Sequence, residues 1–349
     1  MLNVVNKAEL QFKPIKEIGA EGKNSTVYLA EDLQLKAQLV VKKIAKTAIK
    51  DPALYFSESS ILHKTEHPNV VPAYWGCQDA DAIYVAMPYF AKGSLKQLMG
   101  TKFLTVREII RYGIQFLSGL HNIHSKGLIH FDIKPDNILL SNSDTALVSD
   151  FGLAQHMNAG GEAAPVGIYT KTVPPEAIQA APAFDLKFDI YQAGLTLYRM
   201  CVGDNEYYRQ FGKYEDPAGF KAAEYSTDVL KERFPDRKAF PAHIPKSLQN
   251  IVLKCIKVDT AKRYSSVLEI TNALAKLDFP EMDWQYSVDA AGTQKWEHTT
   301  TARKLYIEYN MAGVANAQKA GAGGVFAKVK DFCGAILPER IIEFFKEVK

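Results

Sequence analysis

The chain has 349 residues, 47% of them hydrophobic and 23% charged, with a formal net charge of +3. This exceeds one small module, and the mixture is that of a globular protein, which excludes a mostly disordered or fibrous chain. The charge balance is too small to point to nucleic acid or an anionic membrane. Cys77, Cys201, Cys255 and Cys333 form no C-x-x-C pair, so neither a zinc site nor a disulfide framework is indicated, and reduced thiols are expected. Residues 1–15 carry Lys7, Glu9 and Lys13 without a continuous apolar core, unlike a signal peptide. No apolar run approaches the ~20 residues of a membrane span. The expectation is a soluble, cytoplasmic protein.

In chain order, residues 12–89 are rich in strand signals. Val27 to Ala30, Leu39 to Val41 and Ile83 to Met87 are short apolar runs bounded by polar residues or glycine. Between the last two, Leu54, Ile61 and Leu62 fit one face of a helix. From Ser94 the pattern turns helical. Ile109, Ile110, Ile114, Leu117 and Leu120 mark one helix, Gly194 to Met200 a second, and Leu248, Ile251, Val252 and Cys255 a third. Between the first two lies a non-periodic stretch, 130–176, dense in Asp, Asn, Gly and Pro, and such a segment inside a compact domain is usually functional. After Phe279, Trp284 to Val288, Gln294 to His298 and Leu305 to Tyr309 predict a strand meander. Residues 312–324, rich in small side chains, read as a linker, and 336–349 as a terminal helix after Pro338.

The strongest chemical signal is His130-Phe131-Asp132-Ile133-Lys134-Pro135-Asp136-Asn137, followed by Asp150-Phe151-Gly152. Carboxylate and amide oxygens with an ammonium group, carried on two nearby loops, describe a site for a metal-bound polyphosphate. Mg²⁺ takes hard oxygen ligands, often one or two carboxylates plus the phosphates themselves.

In these motifs the chain resembles the eukaryotic-type protein kinases. The resemblance covers residues 12–277, and further landmarks follow in the family's order. Val40-Val41-Lys42 resembles the third-strand lysine, and Glu58 the helix glutamate. Pro174-Pro175-Glu176 stands for Ala-Pro-Glu, and Asp189 to Gly194 and Arg263 match later positions. The resemblance implies an α+β, bilobal protein kinase fold. It would have a mostly β N-lobe over 12–87, a helical C-lobe over 91–277 and a small α/β C-terminal extension over 281–349. It also implies a protein serine/threonine kinase using ATP and Mg²⁺ on a protein substrate. A lysine two residues after the loop aspartate is similar to the Ser/Thr rather than the Tyr group.

By the same resemblance, Asp132 and Lys134 are the catalytic residues. Asp132 would accept the hydroxyl proton and Lys134 would stabilise charge on the transferring γ-phosphoryl. Asn137 and Asp150 are the metal ligands, and Lys42, held by Glu58, meets the α/β-phosphates. Gly19, Gly22, Ser25 and Val27 belong to the loop over the nucleotide. Counting back from Val27 puts Ala20, Gly22 and Ser25 at the three glycine positions, whereas Gly19 fits only with one inserted residue. Val27, Val40 and Leu139 would sandwich adenine. Met87 is the gatekeeper, and Pro88 and Phe90 supply the hinge carbonyl and N–H.

The chain departs from the family at Phe131, where the common loop carries arginine. Phe131 cannot gather an activation-loop phosphate, so the chain resembles the non-RD group. The middle of the activation segment, Asn158 to Ala164, is expected to be mobile, and which of Thr170 and Thr172 matches the family's threonine stays open. His121 and His124 share a helix face but read as structural rather than metal-binding. The tail aromatics Trp284, Tyr286, Trp296, Tyr306 and Tyr309 read as a small β core rather than a base-stacking surface, because the tail has no basic cluster. The extension is expected to be a surface for a partner, a substrate or another copy of the chain. A pseudokinase acting as a binding or scaffolding module is the alternative, disfavoured by the presence of Lys42, Glu58, Asp132, Asn137 and Asp150.

Overall fold

The computed structural model describes residues 9–19, 25–49, 57–217, 219–279, 282–321 and 324–347. Leu54, Ala20, Gly22 and the side chains of Glu58 and Leu62 lie outside the described residues.

The first lobe is an antiparallel five-stranded sheet of β1 (Phe12–Gly19), β2 (Ser25–Asp32), β3 (Ala37–Ala45), β4 (Trp75–Gln78) and β5 (Ala82–Pro88), in the order β1-β2-β3-β5-β4. Helix α1 (Ser57–Lys64) lies between β3 and β4 in the chain. Alternation sends Leu39 and Val41 into a small core with Ala30 and Ala86, while Val40 and Lys42 occupy the intervening positions of β3. In register, Val27 stands opposite Lys42, and Val40 opposite Met87.

The second lobe begins with α2 (Leu95–Met99) and α3 (Val106–Ser125). Thr105 and Glu108 form a capping box at the start of α3, and Ile109, Gly113, Phe116, Leu120 and Ile123 recur on its buried face. Four short strands follow: β6 (Leu128–Ile129), β7 (Ile138–Leu140), β8 (Ala146–Val148) and β9 (Gln155–His156), paired β6 with β9 and β7 with β8. Then come α4 (Pro175–Ile178), α5 (Lys187–Val202), α6 (Asp204–Phe211), the hairpin β10 (Glu215–Asp216) and β11 (Gly219–Phe220), α7 (Ala222–Leu230), α8 (Lys246–Cys255) and α9 (Val267–Ala275). Helix α5 is buried on all sides from Phe188 onward. At Gly194 a Cβ would come within 2.4 Å of the Cys255 Cβ, so only glycine lets α5 and α8 approach this closely.

The C-terminal region is a second antiparallel sheet of β12 (Gln285–Val288), β13 (Gln294–Thr299), β14 (Arg303–Tyr309), β15 (Val314–Gly321), β16 (Phe326–Lys328) and β17 (Gly334–Ala335), with α10 (Glu339–Glu347) packed on it. Trp284, Tyr286, Trp296, Phe332, Ile341, Phe344 and Phe345 form its core, whereas Tyr306 and Tyr309 are half-buried. The linker expected over 312–324 is corrected here. Its centre is β15, paired with β14, β16 and β17. The buried positions Ala315, Ala317 and Ala320 are alanines, which leave space beneath bulky aromatics but carry no β-branched signal in sequence. This region docks on the helical lobe. Arg107 makes two hydrogen bonds to the Asp283 carboxylate at 2.6 and 2.8 Å, Phe103 meets Tyr286 edge-on at 4.7 Å, and Trp296 Nε1 donates to His243 Nδ1 at 3.1 Å.

Candidate active site

The loop from His130 to Asn137 hangs from one face of α5. Asp189, Gln192, Thr196 and Arg199 recur at helical spacing, a polar stripe on a helix otherwise surrounded by apolar core. Asp189 accepts from the backbone N–H of His130 and of Phe131, each at 2.8 Å, and lies 2.8 Å from His124 Nε2. Gln192 accepts from Ile133 N–H at 2.9 Å and donates to the Phe131 carbonyl at 3.1 Å. Thr196 Oγ1 lies 3.5 Å from the Ile133 carbonyl. Arg199 lies 3.6 Å from Asp136, whose other oxygen takes Lys96 at 2.6 Å. Asp136 is therefore structural, and His124 is an anchor for Asp189. Gln192 belongs to no motif of its own, and the 189/192/196/199 spacing of polar residues in an apolar helix is the signal in the sequence that exposes it.

So held, the loop concentrates chemistry at Asp132. Its Oδ2 accepts from Asn137 Nδ2 at 2.8 Å and from Lys134 Nζ at 3.0 Å. Its Oδ1 is buried and has no hydrogen-bond partner among the described residues. A buried carboxylate oxygen left open is costly unless something accepts that role, and the natural occupant is a hydroxyl donor. Burial opposes the Lys134 charge, but Asp132 and Asp136 outweigh it and push the ammonium's pKa up. The same ammonium sits 4.1 Å above the Tyr169 ring, a contact not expected from sequence.

The second loop is tied to the first through Ser149, whose N–H and hydroxyl both donate to the Asn137 carbonyl, at 2.9 and 3.0 Å. His130 Nε2 lies 3.2 Å from the Ser149 carbonyl, and its Nδ1 faces the Asp132 N–H at 3.3 Å. Asp150, the next residue, adopts φ +59° and meets Lys42 Nζ at 2.9 Å. Enclosure in the cleft pushes its carboxyl upward, but the Lys42 ammonium overrides this and holds it at about 2. A side chain at Gly152 would stand 3.3 Å from Asp150 Oδ1 and 3.4 Å from Lys42 Nζ, crowding the pair.

Asp150 and Asn137 fit a hard divalent cation. Asn137 spends its amide N–H groups on Asp132, which leaves its amide oxygen to ligate, and the Asp150 side chain is 47% exposed in the cleft. Val27, Val40, Leu139, Met87, Pro88 and Phe90 are all half-buried, as residues lining an open cleft would be. Leu139 is set by an antiparallel bridge to Ser94 just beyond the hinge. Gly19 and Ser25 flank the undescribed residues 20–24, which include Gly22, and Glu58 lies on α1 with its side chain outside the described residues.

The activation segment is anchored at three points. Glu176 and Arg263 form a bidentate pair at 2.8 and 2.6 Å, with the Arg263 side chain fully buried. Thr172, 2% exposed, receives the Gln192 amide at 3.4 Å, whereas Thr170 offers its carbonyl to Tyr225 at 3.1 Å. Phe131 packs with Ile129, Ala163, Phe184 and Phe188 beneath the segment. The middle of the segment forms a closed turn. Asn158 Oδ1 accepts from the N–H groups of Gly160 and Glu162, and Ala163 bridges to Phe184.

A family model described as protein kinase domain matches residues 12–276. Serine/threonine-protein kinase PknD of Chlamydia muridarum is 30% identical over 315 residues, covering 78% of this chain and 32% of that protein. PknD of Chlamydia trachomatis is 28% identical over 331 residues, covering 82% of this chain and 34% of that one. A probable serine/threonine-protein kinase of Clostridium acetobutylicum is 27% identical over 277 residues, covering 76% and 40%. The chain thus spans 29–34% of the length of the PknD relatives it matches. Among the described residues no helix is long and apolar enough to cross a membrane.

Proposed function

The chain belongs to the protein kinase family, and on that premise we propose that it is an ATP-dependent serine/threonine kinase acting on protein hydroxyls. The observation that carries this reading is the open, buried Oδ1 of Asp132 beside a fully engaged Oδ2. In the proposed reaction a serine or threonine hydroxyl donates its hydrogen bond to that oxygen. The hydroxyl oxygen forms a bond to the γ-phosphorus while the bond between that phosphorus and the β–γ bridging oxygen breaks. The hydroxyl proton passes to Asp132 and ADP departs. Lys134 stabilises charge on the phosphoryl in flight. Asp150 and Asn137 hold Mg²⁺, which when bound would neutralise phosphate charge, and Lys42 steadies the α/β-phosphates. Val27, Val40 and Leu139 enclose adenine, with Met87, Pro88 and Phe90 at its edge and Gly19, Gly22 and Ser25 over the phosphates.

We assign catalysis to residues 12–277 and a supporting role to 281–349. The docking contacts of Arg107, Phe103 and His243 favour an extension that braces the helical lobe. Its edge strand β16 leaves Phe326 half-exposed next to exposed Val325, a surface suited to a protein partner or second copy. The test is transfer from γ-labelled ATP with Mg²⁺ to a generic protein acceptor or to the chain itself. Incorporation that vanishes in Asp132→Ala is expected. No transfer with Mg²⁺ or Mn²⁺ to any acceptor would sink the proposal and favour a binding module.

A further inference from the structure

Tyr169 touches the ammonium proposed to meet the phosphoryl group, yet it lies in none of the motifs that mark the site. Lys134 Nζ stands 4.1 Å from the centre of its ring, well inside the ~6 Å over which an aromatic face attracts a cation. The Lys134 side chain is 9% exposed and Tyr169 is 42% exposed, which puts the ring on the solvent side of the ammonium. Partial exclusion of water strengthens such a contact.

The ring is not carried on a free loop. Tyr169 leads into the turn Thr170–Thr172, and its carbonyl accepts from the Thr172 N–H at 3.1 Å. Three helices pin that turn. The Tyr225 hydroxyl on α7 donates to the Thr170 carbonyl at 3.1 Å, the Tyr207 hydroxyl on α6 to the Lys171 carbonyl, and the Gln192 amide on α5 to the Thr172 hydroxyl at 3.4 Å. The same Gln192 amide donates at 3.1 Å to the Phe131 carbonyl, in the loop that carries Lys134. One side chain of α5 therefore ties down both the ring and the ammonium, so the fold sets their separation. The choice of a ring also has a chemical consequence. An ammonium has three N–H donors, and one of them goes to Asp132 Oδ2 at 3.0 Å. A second carboxylate in contact would compete with a phosphoryl group for the others. A ring face attracts the charge but accepts no strong hydrogen bond, so the remaining N–H groups stay available to phosphoryl oxygens.

We infer that Tyr169 is a positioning residue, whose ring face holds the Lys134 ammonium where the phosphoryl group passes while leaving its donors free to meet that group. This rests on the kinase reading and deepens it. The test is steady-state transfer from γ-labelled ATP to dephosphorylated casein by the full chain. Tyr169→Leu keeps apolar bulk but has no ring face. It is expected to lower kcat about 5–30-fold, with KM for ATP and for casein within about threefold of wild type. Tyr169→Phe is expected to restore most of the rate. Pentafluorophenylalanine placed at position 169 has the shape of phenylalanine with the charge of the ring face reversed, and is expected to be as slow as Tyr169→Leu. A side chain that acted through shape alone would not separate these two rings. Tyr169 is 42% exposed, so its variants keep the fold, and if Tyr169→Leu does not fold the comparison of the two rings decides alone. An active wild type whose kcat is matched within about twofold by Tyr169→Leu, or two rings of equal activity, would overturn this inference and leave the kinase reading intact. A wild type that transfers phosphate to no acceptor overturns the kinase reading, and this inference with it.

Discussion

Replacing Phe131 by alanine is expected to release the activation segment without touching the catalytic groups. The ring is fully buried, 4.9 Å edge-on from Phe188, within a cluster that includes Ala163 and is flanked by Leu153 and Met157 of the segment itself. Truncating a phenylalanine so enclosed costs about 3–5 kcal/mol in lost burial and cavity. For a lobe of this size that lowers the melting temperature by roughly 2–4 °C per kcal/mol. The part of this burial that holds the segment, about 1.5–3 kcal/mol, corresponds to about a 10–150-fold change in the held population. Phe131 also adopts φ +66°, a left-handed conformation that costs a side chain about 1–2 kcal/mol. Phe131→Gly relieves that strain and is expected to be less destabilised than Phe131→Ala by about 1 kcal/mol. Because apolar packing takes the place of an arginine–phosphate latch, wild-type protein treated with phosphatase should keep its activity. The assay is γ-phosphoryl transfer before and after dephosphorylation, alongside melting of the variants. If dephosphorylated wild type loses most activity and regains it when Thr170 or another segment residue is rephosphorylated, the reasoning is wrong.

Lys42→Ala and Asp150→Ala should each reduce phosphoryl transfer by ~10²-fold or more while circular dichroism stays native, since in the proposed reaction both groups act on charge that grows in the transition state; activity within a few-fold of wild type would remove them from the site. Arg263→Ala should cost about 3–5 kcal/mol, because it strands Glu176 and two backbone carbonyls in a buried setting, and an unchanged melting temperature would refute this. The docking of the C-terminal sheet should weaken in acid. The His243 pKa is depressed in the fold to about 3 from an ordinary 6.5, so its stabilising contribution is complete above 6.5 and is lost progressively as pH falls from there toward 3. At pH 5 the loss is roughly 2 kcal/mol, visible as a change in tryptophan fluorescence that His243→Gln should flatten.

The candidate site was legible because it is local. Asp132, Lys134 and Asn137 lie within one loop, and Asp150 follows on the next, so the motifs and the resemblance they carry grouped them. Helices α3, α5 and α8 were legible through apolar recurrence. Strand β15 was not, because its buried residues are alanines and a run of small side chains reads as a spacer. The turn in the middle of the activation segment was not legible because it is closed by the Asn158 side chain and the Ala163–Phe184 bridge, which are contacts between residues. The joint with the C-terminal sheet rests on Trp296 meeting His243 and Asp283 meeting Arg107, pairs separated by 53 and 176 positions that no periodicity links.

One structural element explains how the local motif is held. A candidate catalytic loop with almost no regular structure of its own must have its backbone N–H and C=O groups answered from elsewhere. Helix α5 answers them: Asp189 takes two N–H groups, Gln192 takes a third and gives to a carbonyl, and Arg199 stands by Asp136. The same helix meets α8 through Gly194 and, by way of the Arg263 contact to the Lys187 carbonyl, joins the pair that anchors the activation segment. A polar stripe is costly inside an apolar core unless every group on it is paired. Here Asp189 and Gln192 are paired with the backbone of the loop and Arg199 with the Asp204 and Asp136 carboxylates, so the burial that makes α5 the centre of the lobe also fixes the position of Asp132.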